Sequence, residues 1–184
     1  MQPAAQLTQW LRQRRRAGAS PLFRAQDLRN LFPKHSDNAF WVILNRAVQR
    51  GQLQRITRGI YRDPEIPDSS GRQLYHVAAL LRPGHFNYLS LESVLSEAGW
   101  ISQVPMNWIT LVSTGRTNTI QCGPLGTIEY VHSERDPNTI TGQLHYDPAC
   151  HLYRATPELA LDDMKRMRRP TLDLVVAEQK EVNE

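Results

Sequence analysis

Between residues 36 and 62 the hydrophobic period changes once, and that change limits what the chain can fold into. Phe40, Ile43, Leu44, Ala47 and Val48 recur at helical spacing. They predict a helix with one buried face, from Ser36 or Asp37 to Gln49. Either starting residue can cap it, and Gly51 is the expected stop. In the next stretch, Gln52 to Arg62, Leu53 and Ile56 lie before Thr57-Arg58-Gly59 and Ile60 follows it. This predicts a short two-stranded hairpin with Gly59 in its turn region.

Two further helices precede that pair. Leu7, Trp10 and Leu11 give one apolar face to a helix over residues 4–16, ended by Gly18. Arg12, Arg14, Arg15 and Arg16 crowd its last turn, where the helix dipole favours cations. Leu28, Leu31 and Phe32 define a second helix over 24–32, stopped by Pro33. The turn from the second helix to the third is then Pro33-Lys34-His35. Three short helices with a tight turn, followed by a hairpin, is the order of a winged helix-turn-helix.

The charge distribution follows the same division. Residues 1–62 carry twelve Lys/Arg and two Asp/Glu, a net +10, while residues 63–184 carry ten and sixteen, a net −6. A basic block beside an acidic one is the pattern of a polyanion-binding domain joined to a second domain, although a merely solvated basic surface has the same composition. Where the sign changes, Asp63-Pro64-Glu65-Ile66-Pro67-Asp68-Ser69-Ser70-Gly71 reads as a linker or exposed loop. The expected class is α+β: a winged helix-turn-helix over 1–63, a smaller-sheet α+β domain over 72–170, and a tail over 171–184. The tail ends acidic and is expected to be mobile.

Within 72–170 the patterns alternate. A helix is expected over 72–82, an extended segment at 87–89, and a helix capped by Ser90 through Ala98. A strand follows at 108–113, then a hairpin of 117–122 with 126–132. Residues 133–150 look loop-rich and 151–155 like a strand. Thr156 caps a last helix with Pro157 at its first position, running to about Met167.

If the apolar face of the third helix points inward, Asn38, Trp41, Val42 and Asn45 point outward. A helix of this kind fits the major groove, where Asn can bond adenine twice. Trp41 would pack on sugar edges or a thymine methyl, or else complete a protein contact. Lys34 and His35 enter that helix where phosphates would lie. Arg55, Arg58 and Arg62 fall on the hairpin, and arginines of a wing lie against backbone or enter a narrow minor groove. Arg14 to Arg16 are either further phosphate contacts or a solvated helix end. The expected DNA-binding residues are therefore Lys34, His35, Asn38, Trp41, Asn45, Arg55, Arg58 and Arg62. Of these, Asn38, Trp41 and Asn45 are the candidates for sequence choice, and Lys34, Arg55 and Arg58 for affinity.

Other functions find less support. No run approaches the roughly 18 apolar residues of a membrane span, and the N-terminus lacks the apolar centre of a secretory signal, so a cytoplasmic protein is expected. Cys122 and Cys150 form no CxxC pair. His145, Asp147, Cys150 and His151 match no common zinc spacing, so no metal is expected. Asp162 and Asp163 read as helix-surface charges. There is no phosphate-cradling glycine loop, nucleophile elbow or HExxH, so neither a cofactor nor an enzyme is expected.

Three segments carry a family resemblance. Leu44 to Arg62, including Arg58-Gly59-Ile60-Tyr61, resembles the helix-to-wing segment of the AbiEi family of antitoxins. Tyr88-Leu89-Ser90-Leu91-Glu92-Ser93-Val94-Leu95-Ser96-Glu97-Ala98-Gly99-Trp100 is similar to that family's strand–helix segment. Tyr153-Arg154-Ala155-Thr156-Pro157-Glu158-Leu159-Ala160-Leu161-Asp162-Asp163 looks like its late helix. The segments occur in the family's order over most of the chain, although many relatives carry a longer C-terminal region. The resemblance implies a repressor that binds double-stranded DNA at repeats in its own promoter. It also implies an antitoxin role in a type IV toxin–antitoxin (abortive infection) system, with a nucleotidyltransferase toxin as functional partner and no stable complex between them. The alternative from another class is a protein-interaction module that neutralises a toxin directly and binds DNA with little specificity.

Overall fold

The computed structural model describes residues 2–67, 70–102, 105 and 107–170; the tail at 171–184 lies outside the described residues. The chain is α+β and divides into two compact units, Met1–Gln73 and Leu74–Glu184.

In the first unit the elements run α1 (Pro3–Arg16), β1 (Leu22–Arg24), α2 (Ala25–Arg29), α3 (Asp37–Gln49), β2 (Gln54–Thr57) and β3 (Ile60–Arg62). Leu7 and Leu11 of α1, Leu28 of α2, and Phe40, Leu44 and Ala47 of α3 close on Phe23, Phe32, Leu53 and Tyr61 as one buried cluster. Each large side chain buried there stabilises by roughly 1.5–3 kcal/mol, so the inner face of α3 is fixed by packing. The three strands form an antiparallel sheet in the order β1-β3-β2.

Three details differ from the sequence expectation. β1 was not expected; it exists because β3 offers it an edge, pairing Leu22 with Arg62 and Arg24 with Ile60. The second helix stops at Arg29 instead of reaching Phe32. The N–H groups of Leu31 and Phe32 donate to the carbonyls of Leu28 and Arg29, which tightens the chain into a turn before Pro33. The start of the expected linker folds back on this unit. Asp63 is buried, its N–H donates to the Pro21 carbonyl, and its carboxylate takes two bonds from Arg15, at 2.7 and 2.9 Å.

The second unit contains α4 (Gln73–Leu81), β4 (Asn87–Leu89), α5 (Leu91–Glu97), β5 (Trp108–Ser113), β6 (Asn118–Gln121), β7 (Thr127–His132), β8 (Leu144–Asp147), β9 (Leu152–Ala155) and α6 (Pro157–Arg166). Its sheet is the larger of the two, not the smaller. It has six strands in the order β6-β7-β5-β4-β9-β8, with β5/β7 and β4/β9 parallel and the other pairs antiparallel. β8 lies in the stretch expected to be loop; it is an edge strand held by β9. Between β6 and β7 the chain turns tightly. At Gly126, with φ 119°, an added Cβ would stand 1.9 Å from the Asn107 carbonyl oxygen.

A second correction concerns Asp163. It is fully buried rather than a surface charge. Tyr88 and Ser90 donate their hydroxyls to its Oδ2, at 3.0 and 2.7 Å. Arg135 lies 3.3 Å from Oδ1, within ion-pair reach but outside hydrogen-bond geometry. Loss of hydration raises the carboxyl's pKa above its ordinary value, against the lowering effect of Ser90, Tyr88 and Arg135. Ser90 stands at the N-cap of α5, but its side chain makes no capping bond because the hydroxyl serves Asp163. Asp162, by contrast, is exposed and pairs with Arg135 and Arg166.

Candidate nucleic-acid interface

The outer side of α3 is a continuous stripe. Asn38, Trp41, Val42, Asn45, Arg46 and Gln49 are all exposed, and they recur at the three- and four-residue spacing of one helix face. Ser36 fixes the start of the helix, its Oγ accepting from the Ala39 N–H at 3.3 Å. Trp41 is 44% exposed and Val42 46%; the Trp41 ring touches only the edge of the core through Phe40, at 5.3 Å between centroids.

The turn into α3 is held by a residue that the sequence did not single out. The Arg29 guanidinium donates to the carbonyls of Phe32, at 2.6 Å, and His35, at 2.7 Å, and to Asp37 Oδ1, at 3.2 Å. It also lies over the Phe40 ring, 5.2 Å from the centroid. Nothing in the spacing of the sequence marks this role, since two of its acceptors are backbone carbonyls.

The hairpin β2–β3 turns at Gly59, whose φ of +80° suits a residue without a Cβ. Its register pairs Arg55 with Tyr61, and Thr57 with Ile60. Arg55 and Arg58 are exposed, while Tyr61 is buried and its phenol is pushed up by desolvation.

The expected contact residues therefore fall into two groups. Asn38, Trp41 and Asn45 share the exposed stripe of α3, Lys34 is exposed ahead of it, and Arg55 and Arg58 are exposed on the hairpin. His35 and Arg62 are engaged within the unit. The half-buried His35 sets its ring edge-on to Phe32, 5.8 Å between centroids. Arg62 donates to Gln54 Oε1, at 3.3 Å, and to the Ile66 carbonyl, at 2.8 Å. A phosphate would reach Arg62 only in competition with those acceptors. Of the arginines closing α1, Arg14 donates to the Ser20 carbonyl and lies over the Trp10 ring, and Arg15 pairs with Asp63 and Glu65, a contact that raises its already high pKa. Only Arg16 of the three is exposed. Arg46 is a candidate that sequence reasoning passed over; it lies one turn beyond Val42, and that spacing was the available signal.

The ion pairs shape the field of this unit. Each of the four acids described in it is paired: Asp27 with Arg24, Asp37 with Arg29, and Asp63 and Glu65 with Arg15. Arg12, Arg16, Lys34, Arg46, Arg50, Arg55 and Arg58 are exposed and in no ion pair among the described residues. Acids neutralised by some arginines and cations left facing water by others give a positive surface suited to a polyanion.

In the second unit several arginines are each held by two acids. Arg169 pairs with Glu92 and Glu129, and Arg154 with Glu97 and Asp147. Of the four residues weighed as metal ligands, Asp147 is taken by Arg154, Cys150 is buried, and the His151 ring lies 4.9 Å from that of His76. Among the described residues, no group of three or more His, Cys, Asp or Glu is arranged to hold a metal ion.

Compared with known protein families and with curated proteins, the chain finds no match. No helix among the described residues is long and apolar enough to cross a membrane.

Proposed function

We propose that this protein is a cytoplasmic DNA-binding transcriptional repressor with a winged helix-turn-helix reading domain. The observation that carries the reading is the outer stripe of α3, bearing Asn38 and Asn45, on a unit whose described acids are all ion-paired while seven cations face water. The element order α1-β1-α2-α3-β2-β3 supports it, because the hairpin follows the candidate recognition helix as a wing does. In this reading Asn38 and Asn45 address base edges, and Lys34, Arg55 and Arg58 address phosphates.

The antitoxin role is the further part of the proposal, and its support is the ordered resemblance of three segments to the AbiEi family. On that reading the protein represses its own promoter at DNA repeats. It opposes a nucleotidyltransferase toxin without forming a stable complex with it.

The test is a gel shift of the full-length protein on its own upstream DNA against a scrambled duplex, combined with toxicity rescue of the neighbouring gene. The proposal expects selective binding, and rescue without co-purification of the two proteins. Equal, weak binding to both duplexes would overturn the repressor reading. A stable complex with the toxin would favour the protein-interaction alternative.

A further inference from the structure

The exposed apolar pair on α3 calls for an explanation that the polar contacts do not supply. In the first unit, Trp41 and Val42 are the large hydrophobic side chains left exposed among the described residues, at 44% and 46%. They are adjacent in sequence and belong to the same stripe as Asn38 and Asn45, which flank them by about one turn on either side. Side by side, they place an apolar spot in the middle of an otherwise polar helix face.

The surroundings select the partner. Arg46 follows the pair on α3, Arg50 caps its C-terminus, and Lys34 precedes the helix. The one acid at this helix, Asp37, is held by Arg29. A surface that is apolar at its centre, carries amides beside it and is ringed by cations is complementary to the major groove. There the C5-methyl of thymine is the apolar feature, and amides bond adenine N6 and N7. An acidic protein surface would answer the same cations; the two asparagines favour DNA, since adenine N6 and N7 take both groups of the amide.

Resting on the DNA-binding reading above, we propose that Trp41 and Val42 are specificity-determining residues that read thymine methyl groups, and that Asn38 and Asn45 bond the bases beside them. The preferred operator is then a double-stranded site with thymines in the half-site under the N-terminal two turns of α3.

The experiment removes the methyl and nothing else. Fluorescence anisotropy is measured with full-length protein on the duplex from its own upstream region that it binds best. Thymines are replaced by deoxyuracil one at a time, which keeps every hydrogen-bonding group of the base pair. One or two adjacent replacements should weaken binding about three- to fivefold each, the effect of one buried methyl. Trp41→Ala and Val42→Thr should weaken binding to the thymine duplex and abolish its preference over the deoxyuracil duplex. Arg58→Ala should weaken both duplexes equally and keep the preference. Circular dichroism should give both variants the wild-type spectrum, with the wild-type melting curve for Val42→Thr and a lower Tm for Trp41→Ala, which loses its contact with Phe40. Wild-type affinity that ignores every deoxyuracil replacement, on a duplex that is still selected over a scrambled one, would overturn this inference and leave the repressor proposal standing. Failure to select any duplex would overturn both. Retained selectivity in Trp41→Ala, with capture of a partner protein lost instead, would assign the pair to a protein surface and refute the inference.

Discussion

Replacing Arg29 with alanine separates positioning of the candidate recognition helix from contact with DNA. The guanidinium holds the carbonyls of Phe32 and His35 at 2.6 and 2.7 Å, and Asp37 at 3.2 Å. A hydrogen bond to a charged group contributes about 1.5–3 kcal/mol when well shielded. The Arg29 side chain is 32% exposed, so water replaces part of each carbonyl bond in the variant, and Asp37, at 84% exposed, adds about 0–1 kcal/mol. The expected total is about 2–3 kcal/mol. This is a large share of the roughly 4–11 kcal/mol expected for a unit of this size, and equivalent to roughly 10–20 °C in Tm. Hydrogen exchange of the α3 amides reads it directly, with exchange about 30- to 150-fold faster. Arg29→Lys, which keeps a point charge but not the fork, should fall between. The salt dependence of DNA binding should keep its slope, because the guanidinium is turned to the turn and not to phosphate. Exchange rates within twofold of wild type, or a slope lower by about 0.9, would refute the clamp.

Other predictions concern the second unit and the hairpins. Asp163→Ala should destabilise that unit by about 2–4 kcal/mol, since it leaves the Tyr88 and Ser90 hydroxyls without their acceptor while Arg135 keeps Asp162; urea denaturation checks this. Because desolvation raises the folded pKa of Asp163 above its unfolded value, its contribution to stability is fullest below the unfolded pKa and declines as pH rises through the folded one. Asp163→Asn should remove that decline from the stability profile between the two pKa values. Gly126→Ala, with a Cβ 1.9 Å from the Asn107 oxygen at φ 119°, should prevent a stable second unit from forming, seen as loss of its cooperative melt. Gly59→Val should destabilise the β2–β3 hairpin by more than 1 kcal/mol through its φ of +80° alone, with a matching loss of DNA affinity.

What could be read from the sequence depended on how local the cause was. The third helix was legible because Ser36, the apolar period and Gly51 all lie within one stretch, and the hairpin because Gly59 sits in its own turn. The Thr156 cap was legible for the same reason, and its Oγ accepts from Leu159 as expected. β1 and β8 were not legible, because each is short and becomes a strand only through a partner distant or unmarked in sequence. Asp163 was misread although a signal existed: Leu159, Ala160, Asp163 and Met164 form the buried stripe of α6, so the helical period already put the carboxylate inside. The exposed stripe of α3 followed from which residues face inward. The engagement of Arg62 and His35, by contrast, depends on the Ile66 carbonyl and the Phe32 ring, which no spacing reveals.

If α3 chooses the sequence while the hairpin and the entry to α3 supply charge, the two contributions separate on salt. The most direct test is a salt titration of binding to the protein's own upstream duplex and to a scrambled one, for wild type, Asn45→Ala and Arg58→Ala. Arg58→Ala should weaken both duplexes alike and lower the salt slope by about 0.9. Asn45→Ala should leave the slope unchanged and cut the preference for the upstream duplex by about tenfold, as the loss of a base contact does. An unchanged preference in Asn45→Ala together with a slope unaffected by Arg58→Ala would contradict it.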